Sequence, residues 1–303
     1  MKKRSIAAIL SALLAAALVL PSCLPISYTS ARSGPPMWII ENKEGVRAYL
    51  FGTVHTARDA GMFPFADVIE DAYSYCDAVA VECFPDASYD GSVFDLADGS
   101  LITDHISKTV YDRAVSAIVS HEGSYNGEYD GKNAAFWYSL TDGYISLDNG
   151  YSSEFGSDRY FYEKAVSDGK KTVEMEGTAK QAEYLLRVDD SVYEYFIISA
   201  QNSRGSAGMD YYNALYLSGD VEAFEYSLSS GRNASYRDQA FAAKIKDYYD
   251  MMYTERNRAL ADSVAELMSS GERVFFAVNV SHVIGEDGIV AVLRSEGYKV
   301  VRK

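Results

Sequence analysis

Short apolar runs near both ends of the chain constrain its fold most. Val46 to Phe51, Ala78 to Glu82, Thr172 to Glu176 and Arg273 to Val278 each read as a strand bounded by polar or turn residues. Trp38 to Glu41 forms a further strand ahead of the turn Asn42 to Gly45, and Lys299 to Val301 a last one. Helical spacing alternates with these runs. It predicts helices over Phe65 to Tyr75 (with Val68, Ile69 and Ala72 on one side), His105 to about Val119 capped by Asp104, Asn133 to Leu140, Arg159 to Ser167 and Gly288 to Ser295. From Lys180 to Met268 the pattern is helical and rich in Tyr, Ala and charge, with breaks near Gly205, Gly219 and Gly231. Such alternation predicts an α/β domain over residues 37–303. It would have a central mixed β-sheet flanked by helices, and a helical insertion, about 180–270, between the N- and C-terminal sheet-forming segments.

The first residues read as an address. Lys2, Lys3 and Arg4 precede an apolar stretch from Ile6 to Leu20. That stretch is shorter than the roughly 20 residues that span a bilayer, and it matches the charged and apolar regions of a secretory signal. Leu20-Pro21-Ser22-Cys23 then resembles a bacterial lipobox, with Cys23 as the acylated residue. This predicts a signal peptide over 1–22, a tether over 23–36 and an extracytoplasmic body held at the cell envelope by lipid. A secretory signal with an incidental cysteine is the plainer alternative.

Composition closes other routes. The net charge of −15 argues against nucleic acid, which needs a basic footprint, and against adsorption to anionic lipid. Three cysteines exclude a disulfide-built scaffold and a four-cysteine zinc site, though Cys76 and Cys83 would be free to bridge outside the cytoplasm. There is no Gly-x-Ser-x-Gly elbow, and the glycines around Lys132 have the wrong spacing for a phosphate loop.

Four histidines remain, and two share a setting. His55 follows one predicted strand and His282 another, while Glu82 and Glu176 end two more. Strand ends in an α/β sheet form the crevice where ligands bind, so these four residues could meet there. Two imidazoles with one or two carboxylates are ligand types for zinc, manganese or cobalt. A metal so held would acidify a water, and a carboxylate outside its shell would serve as general base. The pattern alone also admits hydrogen-bonded loop histidines and solvated carboxylates. His121-Glu122 begins like a zincin motif, but Tyr125 stands four residues on; His105 reads as a surface residue, and Cys83 as a small core residue or half of a disulfide.

Taken together, these landmarks resemble the TraB/GumN family, which includes the Tiki-type metalloproteases. Gly52-Thr53-Val54-His55 matches its first Gly-x-x-His, and Val81-Glu82 ends the next strand. Gly156-Ser157-Asp158 precedes a helix that leads to Met175-Glu176-Gly177 and Gln181. Glu255-Arg256-Asn257 opens another, and His282 precedes Gly285 and Gly288. The match runs in family order from Trp38 to Lys303. It departs at Asn279, where the second His motif normally has Gly, and at Gly177. Gly at position 279 would suggest a tight approach or positive φ, which Asn tolerates better than most residues. The resemblance implies His55 and His282 as ligands of a divalent metal (Mn, Co or Zn), Glu82 and Glu176 as ligand or base, and Arg256 stabilising a carboxylate or oxyanion. For Tiki-type members it implies metal-dependent cleavage of a peptide or protein substrate. A non-catalytic envelope protein that binds peptide, metal or haem is the alternative.

Overall fold

The computed structural model describes residues 34–202 and 207–303. The signal peptide, Cys23, nearly all of the tether and the break at Gly205 lie outside the described residues. Six strands form one mixed sheet: β1 (Met37–Glu41), β2 (Arg47–Thr53), β3 (Ala78–Val81), β4 (Lys171–Glu174), β5 (Val274–Asn279) and β6 (Lys299–Arg302). Their order is β4-β3-β5-β2-β1-β6. The first four in that order, β4, β3, β5 and β2, run parallel, and β1 pairs antiparallel with both β2 and β6. Every residue of β3 and β5 is buried, as parallel strands covered on both faces require. The expected α/β class holds, with a central sheet flanked by helices.

Alternation along the strands sends Phe51 of β2 and Phe275 of β5 to one face. There they pack against Phe161 of the helix Ser157–Ser167, edge-on and tilted respectively, and Phe161 also meets Tyr73 of the helix Asp67–Tyr75. Ile69, Ala72 and Tyr73 are the buried face of the latter helix; Val68, expected among them, is 36% exposed. The predicted cap at Asp104 also shifts. Asp104 closes a short 3₁₀ turn by accepting from Leu101 N, and the helix itself runs Lys108–Glu122. The third helix is longer than expected, Ala134–Asp148, with Asn133 accepting from Phe136 N as its cap.

A second apolar core lies apart from the sheet. It is built from helices after β3 (Lys108–Glu122, Ala134–Asp148) together with helices after β4 (Thr178–Leu186, Asp190–Asn202, Gln239–Tyr249). The helical lobe therefore draws on two stretches of chain, and the sequence pattern identified the later one as the insertion. Among the described residues no helix is long and apolar enough to cross a membrane.

Candidate functional site

Parallel pairing puts Thr53 of β2 opposite Asn279 of β5, and Val81 of β3 opposite Ala277 of β5 and Glu174 of β4. The residues just past these ends share one edge of the sheet. His55 follows β2, Glu82 follows β3, Glu176 follows β4, and His282 follows β5. Glu82 O accepts from Glu176 N and Gly177 N, which ties the two acidic ends together. Gly177 has φ +83°, so the residue that departs from the family pattern suits its left-handed turn.

Arg256 is the centre of the arrangement. Its Nε donates to Glu176 Oε1 (2.8 Å). Its Nη2 donates to Glu176 Oε2 (2.7 Å) and Glu82 Oε2 (2.8 Å). Its Nη1 donates to His282 Nε2 (2.8 Å). The side chain is fully buried, and both carboxylates are about as buried, at 5% exposed each. Arg256 opens the helix Arg256–Ser269, directly after a π-helical stretch, Asp250–Glu255. Such stretches are rare and concentrate at functional sites.

An arginine can only donate, so His282 Nε2 is the unprotonated nitrogen. Its Nδ1 then carries the proton and donates to Asn257 Oδ1 (2.7 Å). Asn257 Nδ2 donates to Asp287 O (3.0 Å), which fixes which end of the amide faces the ring. Burial and the Arg256 charge push the His282 imidazole down to about 3. Burial alone would raise the Glu82 carboxyl. The imidazoles of His282 and His55, the Arg256 guanidinium and a bond from Asn279 N to Oε1 (2.7 Å) outweigh it and hold the group at about 2.

Asn279 does not take a left-handed conformation; its φ is −50°. Its side chain accepts from Ser281 N (2.9 Å) and Ser281 Oγ (2.7 Å), capping the short turn that carries His282. The residue acts here through its amide oxygen, which a glycine lacks. Gly52, by contrast, is needed for space: a Cβ there would lie 3.1 Å from Val280 Cγ2 and 3.3 Å from Pro36 Cγ.

His55 shares a cavity lining with Glu82. Its Nδ1 pairs with Asp158 Oδ2 at 2.9 Å, and no described residue bonds its Nε2. Burial opposes the charged ring, but Asp158 and then Glu82 overcome it, so the imidazole titrates above its ordinary value. The segment carrying Asp158 is clasped to the end of β2. Val54 N donates to Ser157 Oγ (2.9 Å), Ser157 N donates to Val54 O (2.9 Å), and Gly156 lies against His55 O, where a Cβ would come within 2.6 Å. His55, Glu82, Asp158 and Gln181 line one cavity of about 30 Å³, enough to admit water, with Cys83, Phe84, Pro85 and Arg159. Gln181 Oε1 accepts from Tyr89 OH. Cys76 and Cys83 are free, and burial followed by the nearby Glu176 and Glu82 pushes the Cys83 thiol up, away from a nucleophile's range.

The other two histidines are elsewhere. His105 pairs with Ser100 and Asp190, and His121 with Asp148 while stacking on Tyr144. Asn257, Ser157 and the pairing role of Asp158 carried no signal beyond their place beside the motifs.

The residue types suit a divalent metal, but their arrangement does not. Glu82 Oε2, both oxygens of Glu176 and His282 Nε2 all face the Arg256 guanidinium, and His282 Nδ1 faces Asn257. Among the described residues no three His, Cys, Asp or Glu side chains converge as a metal-binding group.

This is an α/β protein whose parallel strands deliver two imidazoles and two carboxylates to the end of the sheet where a helix start supplies a buried arginine. Residues 36–302 match the model of the TraB/PrgY/gumN family, and the chain belongs to that family. No curated protein and no solved structure matches it.

Proposed function

We propose that this chain is a lipid-anchored extracytoplasmic hydrolase that cleaves peptides with His55 as the general base. One observation carries the reading. The His55–Asp158 pair lines a cavity with room for water at the strand ends, and no described residue bonds His55 Nε2. Asp158 orients the ring and stabilises its charged form, as the raised titration of His55 requires. A water in the cavity would give its proton to Nε2 while its oxygen attacks the scissile carbonyl carbon. The imidazolium would then return that proton to the leaving amine. Arg256 has four of its five N–H groups committed to Glu82, Glu176 and His282, so its role is to hold the carboxylates and the second imidazole in place. Glu82 joins the two parts, because it bonds Arg256 and also lines the cavity. The net charge of −15 favours neutral or basic peptides over acidic ones.

Glu176, His282 Nε2 and Glu82 Oε2, which a metal beside them would need, are engaged by Arg256, so the base is assigned to His55 alone. The test is mass-spectrometric detection of products from a mixed peptide pool, with and without added manganese, cobalt or zinc. Cleavage lost in His55→Ala, and reduced about 10²–10⁴-fold in Asp158→Asn, supports the proposal. Stoichiometric capture of a peptide without product would favour a binding role.

A further inference from the structure

The Arg256 guanidinium stands where a bound cation would have to stand. Three of its bonds hold two carboxylates and a fourth holds an imidazole lone pair. Those atoms are the ones a divalent ion would need from Glu82, Glu176 and His282. His282 offers no second lone pair. Asn257 Nδ2 is committed to Asp287 O, so Asn257 Oδ1 must face Nδ1, and that nitrogen must carry the ring proton. Nor is the guanidinium held loosely. It is fully buried, bidentate to Glu176, and rooted in the first residue of a helix.

We propose that Arg256 is the built-in cation of this site and excludes divalent metal from Glu82, Glu176 and His282. The inference takes the site from the hydrolase reading but does not depend on turnover. Two carboxylates and a neutral imidazole left without Arg256 make a donor set of the kind that binds manganese, cobalt or zinc. Removing the guanidinium should therefore create a metal site that the wild type lacks.

The experiment is calorimetric titration of the full chain and of Arg256→Met with each of the three ions, followed by metal analysis after desalting. The wild type is expected to retain none. The variant should bind one equivalent about 100-fold more tightly than the wild type, a change as large as rearranging the surroundings of a metal ligand produces. Adding His282→Ala to Arg256→Met should remove that gain. A wild type that holds one equivalent, lost in His282→Ala, overturns the proposal, and so does an Arg256→Met chain that gains nothing. Should the variant not fold, nitrogen NMR of the wild type decides. The His282 Nε2 signal must stay that of a hydrogen-bonded, unprotonated nitrogen when zinc is added; a shift to a coordinated one refutes the claim. A chain that follows this metal pattern but cleaves nothing loses only the hydrolase reading. One that cleaves through a metal bound in the wild type loses only this inference.

Discussion

Replacing Arg256 with methionine keeps much of the side-chain volume and removes one buried charge from a pair of buried carboxylates. Arg256 is 0% exposed, and Glu82 and Glu176 are 5% exposed, so solvent offers them little in exchange. Breaking a buried ion pair by deleting one partner costs about 3–5 kcal/mol, chiefly because the other charge stays buried. Here two carboxylates lose their shared partner, which puts the expectation at the upper end. On a typical stability of about 5–15 kcal/mol that loss is severe, and it corresponds to a fall in Tm of about 10 °C. Urea denaturation followed by circular dichroism measures it. The loss should also narrow below about pH 4.5, where carboxylates no longer held down can take a proton instead of remaining charged. A loss below about 1 kcal/mol at neutral pH, in the range of exposed pairs, would refute the reasoning that the cluster is buried and mutually dependent.

Three further outcomes follow from the same geometry. Glu82 is held at about 2 against an ordinary 4.5, and His282 at about 3 against 6.5. Both folded values are depressed, so their contribution is full above pH 6.5 and is lost as pH falls, first through the His282 window from 6.5 to 3 and then through the Glu82 window from 4.5 to 2. Urea midpoints across pH should show this decline, and His282→Gln should delay its start until near pH 4.5. Gly156→Ala must displace both His55 O and Asp158 Oδ1, each 2.6 Å from the new Cβ, at a stability cost of about 1–3 kcal/mol. The His55 titration read by NMR should move toward its ordinary value as the Asp158 pairing loosens. Cys23→Ala should abolish incorporation of radiolabelled fatty acid and release the chain from membranes; unchanged labelling would end the lipid-anchor reading.

The centre of the sheet is legible because β3 and β5 are short, apolar and wholly buried. Ala78 to Val81 and Val274 to Asn279 permit little else. The same reasoning placed His55, Glu82, Glu176 and His282 at one edge, since parallel strands end together. What the sequence could not carry was the bonding within that edge. Nothing local says that Arg256, 80 residues from Glu176 and 174 from Glu82, donates to both. Nothing local says that Asp158, 103 residues from His55, is its partner. Asn279 differs from its expectation for a physical reason: glycine in the family pattern suggests a backbone requirement, whereas here the side chain caps the turn. The helical lobe was half seen, because Tyr- and Ala-rich helices show their spacing but not which distant stretch of chain completes their core.

Peptide turnover on the full chain, measured beside His55→Ala and His55→Gln with the fold of each verified, decides whether His55 is the base. The wild type should give product, neither variant any above background, and the rate should rise with pH as His55 loses its proton and then level off. Equal turnover in all three proteins would contradict it.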